Sequence, residues 1–198
     1  MKITGISAVI ATGSIAGAVW AHSGATGVVK ERMDGMMAMG KSVKEITPMM
    51  RGQTDYDPER VRAFAEDMRQ HSGEALTRLF PEGTTGAPSE AKPNIWTDWE
   101  EFAALAEQLH TLSEGLALAA ENGLMHGGGG QTSSMMGGES MMGGQSMMGG
   151  GSMMGNSATS EFRNYGPEEF SEMPADGVFM MVSQTCSACH TKFRAEAK

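Results

Sequence analysis

Cysteine is scarce in this chain of 198 residues: there are two, Cys186 and Cys189, three positions apart. Residues so close on one expected helix are poorly placed to staple a fold through a disulfide, so another use for them is needed. Basic residues are in deficit too, 15 Lys and Arg against 24 Asp and Glu, a formal net charge of −9. An acidic surface of that size argues against nucleic acid and anionic lipid and for neutral or basic protein partners. Strand-like alternation is missing throughout, which points to an all-α fold. Only one long hydrophobic run exists, from Ile3 to Trp20.

That run follows Lys2 and ends in Val19, Trp20 and Ala21. Short, and rich in Gly, Ser and Ala, it reads as a secretory signal peptide over 1–21, cut after Ala21, rather than an anchor. The expected mature chain, 22–198, is one domain that is not stably inserted in a membrane and carries 14 basic and 24 acidic residues, a net charge of −10. A periplasmic location follows.

Four helices are expected around one core. From 27 to 50, Val29, Met36, Met39 or Gly40, Val43 and Ile46 recur at three- and four-residue steps. Asp57 caps a second helix with Pro58 at its first position, carrying Val61, Phe64, Met68, Ala75, Leu76 and Leu79 on one side. Thr97 and Glu100 have capping-box spacing before a third, which carries Phe102, Leu105, Leu109, Leu112, Leu116 and Ala119 and stops near Gly123. The fourth runs from about Pro174 to Ala197, with Val178, Phe179, Val182, Cys186, Cys189 and Phe193 along one face. Between the last two, hexads begin at Ser134, Ser140, Ser146 and Ser152, and residues 127–157 hold 12 Gly and 8 Met. So many glycines make a fixed backbone entropically expensive, and a long flexible Gly/Met-rich loop is expected.

Cys186-Ser187-Ala188-Cys189-His190 is C-x-x-C-H, the attachment signature of a c-type haem. Two thiols at this spacing on a helix can form thioethers with the two haem vinyl groups, and His190 then brings an imidazole beneath the iron as axial ligand. A thioredoxin-like redox pair would need a strand before the helix, and zinc would need further ligands at suitable spacing; neither is visible. Only "TKFRAEAK" follows His190, with neither Met nor His, so any sixth iron ligand must come from upstream.

The terminal C-x-x-C-H with Thr191, Lys192, Phe193 and Arg194 after it, "KERMDGMMAMG" in the first helix and "KPNIWTDWEEF" before the third together resemble the class II c-type cytochromes, the cytochrome c prime family. The resemblance spans about 25–123 and 165–197. It implies an antiparallel four-helix bundle with one covalent haem c near one end, often a homodimer through the first two helices. The family's distal position lies four residues after the first-helix arginine, which here makes Met36 follow Arg32. A methionine there resembles the low-spin branch, in which Met and His both bind the iron, and implies a non-enzymatic carrier of single electrons between periplasmic redox proteins. The alternative is a five-coordinate iron open to NO or CO, with Met36 as core packing beside Met33, Met37 and Met39. By resemblance Arg32 lies near a haem propionate, Arg194 flanks the proximal side and Trp96 packs near the haem edge. His71 and His110 are rivals to Met36, although a lone helical His is more often no ligand. The loop's paired methionines offer thioethers of the kind that select Cu(I), with His22 and His126 as further ligands; an oxidant sink or neutral repeat expansion are the other readings.

Overall fold

A computed structural model describes residues 24–85, 87–125 and 165–195. The expected signal peptide over 1–21, the Gly/Met-rich loop at 127–157 and its Cu(I) site therefore lie outside the described residues. Those described form helices α1 (Gly27–Met50), α2 (Pro58–Gln70), α3 (Gly73–Thr77), α4 (Asn94–Thr97), α5 (Trp99–Ala119) and α6 (Ala175–Phe193), with 3-10 turns at Ala120–Asn122 and Pro167–Phe170. The four long helices α1, α2, α5 and α6 close a ring in which α5 packs on α2 and α6, and α1 packs on the same two. This is a four-helix bundle. Among the described residues no helix is long and apolar enough to cross a membrane.

The helix starts and stops follow the sequence unevenly. Asp57 caps α2 as expected, its carboxylate accepting from the Glu59 N–H at 3.0 Å with Pro58 at the first position. The expected second helix, however, is two pieces. His71 and Ser72 interrupt it, and Gly73 enters α3 at φ +58°, a conformation glycine adopts at little cost. The Thr97–Glu100 capping box does not form either. Thr97 spends its hydroxyl on the Asn94 carbonyl at 3.1 Å inside the short α4, and α5 begins two residues later behind Asp98. At the other end α6 stops at Phe193 rather than running on to Ala197, because Arg194 pairs in an antiparallel bridge with Ala91.

Two apolar clusters fill the bundle. One joins Met39, Ile46 and Met49 of α1, Val61, Phe64 and Met68 of α2, Leu109, Leu112 and Leu116 of α5, and Val178 and Val182 of α6. The other, towards the α3 end, is built from Leu76, Phe80, Ile95, Phe102, Leu105, Ala106 and Phe193. Cys186 packs against the first and Cys189 against the second, so the cysteine-bearing turn of α6 lies where the clusters meet. Met36 packs against both.

Contact between α5 and the 3-10 turn is tight at Gly115, where an added Cβ would lie 2.7 Å from the Phe170 Cβ and 2.8 Å from its Cδ2. A Gly115→Ala substitution should gain roughly 1 kcal/mol of helix propensity and lose about 1–3 kcal/mol to forced repacking. The expected net effect is a lower thermal midpoint; an unchanged or higher one would show that Phe170 yields freely.

Candidate haem pocket

Each wall of one cavity of about 410 Å³ comes from a different part of the chain. From α1 come Arg32, Met33, Met36, Met37 and Gly40; from α6 and its end, Cys189, His190, Phe193 and Arg194. The floor is apolar: Phe80, Ile95 and Phe102, with the Phe102 ring edge-on to both Phe80 (centroids 4.7 Å) and Phe193 (5.4 Å). Residues 88–91 of the segment between α3 and α4 close the remaining side.

The motif residues sit together because α6 carries them on successive turns. Both cysteines are free. Burial pushes the Cys186 thiol up to about 11 and, with Cys186 beside it, the Cys189 thiol up to about 12. The strand that a thioredoxin-like redox pair needs before its helix is absent among the described residues. His190 keeps much of its surface open towards solvent and cavity. Desolvation nonetheless lowers its pKa, Arg194 lowers it further and Glu90 works against both, a net direction that favours the neutral imidazole.

Arg32 is 3% exposed and has no carboxylate paired with it among the described residues. Its partners are neutral: the Thr84 hydroxyl at 3.0 Å, the Ser89 hydroxyl at 2.6 Å, the Thr84 and Leu79 carbonyls, and the Phe80 ring 4.7 Å from the guanidinium carbon. A buried cation without a counter-charge is costly, and an anionic group entering the cavity beside it would offset that cost. A haem propionate supplies such a group. Apolar floor, imidazole, paired thiols and an unneutralised guanidinium therefore suit a haem with its propionates towards Arg32.

Six of the seven residues expected here gather in or against this cavity: Cys189, His190, Arg32, Arg194 and Met36 line it, and Cys186 lies one turn behind Cys189. Trp96 does not line it. Its indole N–H donates to the Phe80 carbonyl at 2.9 Å, which makes Trp96 a support for the wall rather than part of it. His71 and His110 are elsewhere, His71 against Gly35 and His110 beside Gly73, with Ser72 at 3.4 Å from its Nδ1. The sequence reading did not pick out Phe80, Phe102, Ser89 or Glu90. Phe102 carried a core signal only, and the other three fall between α3 and α4, where no periodic pattern runs.

Comparison with known proteins agrees with this geometry. The model of the family described as Cytochrome C' matches residues 27–136. The chain belongs to the cytochrome c' family. A cytochrome c' from Pararhodospirillum photometricum is 33% identical over 99 residues, covering 48% of this chain and 75% of the relative. Another, from Rhodospirillum rubrum, is 36% identical over 89 residues, covering 44% of this chain and 54% of its own length. Among solved structures, the nitric oxide complex of a mutant cytochrome c prime from Alcaligenes xylosoxidans has the same fold, with a TM-score of 0.54 at 20% identity over 86% of this chain and 94% of that one. The family match ends before Cys186, at residue 136 within the Gly/Met-rich stretch. Cytochrome c' proteins bind one covalent haem c, and this chain is such a haem protein.

Proposed function

We propose that this cytochrome c' holds its haem through thioethers from Cys186 and Cys189, with His190 as proximal iron ligand and the distal side open to a small diatomic molecule such as NO or CO. The observation that carries the proposal is the cavity between the His190 face of α6 and the Met36 face of α1, in a chain of this family. When bound, the haem supplies the iron to which the diatomic ligand attaches. The chain's own residues do the rest. His190 presents a neutral imidazole, Arg32 offers a buried positive charge to a propionate, and Phe80, Ile95, Phe102 and Phe193 keep water from the porphyrin face. Met36 is half-buried and packs against both apolar clusters, which suits a wall residue. The neighbouring nitric oxide complex supports the same ligand class here.

A second reading keeps Met36 as sixth ligand and the protein as an electron carrier, favoured by one observation: Met36 of α1 and His190 of α6 line the same cavity. Adding CO or NO to the reduced holoprotein separates the two. The open-site reading expects a prompt spectral change in wild type and little effect of Met36→Leu on the ligand-free spectrum. A wild type that resists CO until Met36 is replaced would transfer the assignment to the Met-ligated carrier. An apolar run behind Lys2, together with covalent haem, supports a periplasmic location for either.

A further inference from the structure

We propose that Glu90 is a positioning residue that holds the Arg194 guanidinium at the proximal rim of the haem cavity and through it tunes the iron. The proposal rests on haem seated against His190 and is independent of whether Met36 binds the iron. Arg194 lies one helical turn beyond His190, its backbone N–H donating to the His190 carbonyl at 3.0 Å. Its Nε donates to the Glu90 carboxylate at 2.6 Å, and both side chains line the cavity while about half-exposed.

An isolated surface ion pair of that exposure would be worth little, because two long side chains must be ordered to make it. Here the main chain does most of the ordering. Ala91 bridges Arg194 antiparallel, the Lys92 N–H donates to the Phe193 carbonyl at 2.9 Å, and the Ala195 N–H donates to the Glu90 carbonyl at 2.7 Å. Next to Glu90, Ser89 accepts from the Arg32 guanidinium, as Thr84 does. Residues 87–90 thus form a strap between the two cavity arginines, with Ser89 on one and Glu90 on the other.

Released from Glu90, the Arg194 side chain would gain rotamer freedom and water, so it should swing outward. Its positive charge near the iron favours the ferrous state, and removing that charge lowers the reduction potential. Loss of the Glu90 carboxylate acts the other way and raises it. A double-mutant cycle on the holoprotein separates these effects: wild type, Glu90→Ala, Arg194→Leu and the double variant, each checked for full haem loading and wild-type helical content. In the Arg194→Leu background, Glu90→Ala should shift the potential positively by its direct charge alone. In wild type the outward movement of Arg194 should make the shift smaller or reverse it. Equal shifts in the two backgrounds would show two independent charges, and a larger positive shift in wild type would show that Glu90 holds Arg194 away from the iron; either overturns the proposal. Neither substitution removes a main-chain bond of the strap, and helical content checks that all four proteins fold.

Discussion

Replacing Cys186 and Cys189 together by alanine should abolish covalent haem, so that the denatured chain carries no haem mass where wild type carries one. Each sulfur adds across one vinyl group, forming a carbon–sulfur bond while its hydrogen passes to the other vinyl carbon, and nothing else among the described residues offers a thiol. Loss should go beyond linkage. Without the cofactor Arg32 stays a buried cation facing an unfilled cavity that Met36 and Phe80 line. The double variant should therefore accumulate less and melt lower than wild type, while either single variant retains one thioether and an intermediate yield. Mass spectrometry under denaturing conditions checks the first expectation. Covalent haem persisting in the double variant would contradict the assignment.

The second large effect is expected at Phe102. Its ring is 2% exposed and meets Phe80, Trp99 and Phe193, so one side chain joins α5 to the 80–93 segment and to the end of α6. Truncating a buried phenylalanine costs about 3–5 kcal/mol through lost burial and the cavity left behind, which should lower the thermal midpoint by roughly 10 °C or more. Since Phe102 also floors the haem cavity, Phe102→Ala should admit water beside the porphyrin and alter the haem spectrum in the still-folded fraction. Leu116→Ala is the natural control. Leu116 is fully buried in the other cluster, so its loss should destabilise by a comparable amount without changing the spectrum. Matching spectral changes in both variants would mean that the pocket responds to bundle stability in general rather than to its own floor.

Much of this was legible in the amino-acid order, and the parts that were not have physical reasons. Periodicity marked α1 with the bounds observed, since an amphipathic stripe reports the burial of one face directly. Spacing alone picked out Cys186, Cys189 and His190 as candidates, and the structure places them together on α6, with Cys189 and His190 lining the cavity. The break between α2 and α3 was hidden because Ala75, Leu76 and Leu79 keep the apolar pattern across it, and only the positive φ of Gly73 reveals the turn. Thr97 had a capping-box partner in sequence, yet its hydroxyl bonded inside its own turn. The strap was unreadable for another reason: Ser89 meets Arg32 and Glu90 meets Arg194 across 57 and 104 positions, and no local pattern encodes contacts at such separations. Met36 shows the limit most sharply. The same helical face that would bring a thioether to an iron also brings a methionine to a core, so position identifies the wall but not the bond.

Electron paramagnetic resonance of the oxidised holoprotein, as purified and without added ligand, tests the central claim most directly, because the spin state of the ferric iron reports whether the sixth position is filled. An open distal side above His190 predicts a high-spin ferric signal that changes little in Met36→Leu. A low-spin signal in wild type that turns high-spin on replacing Met36 would contradict it.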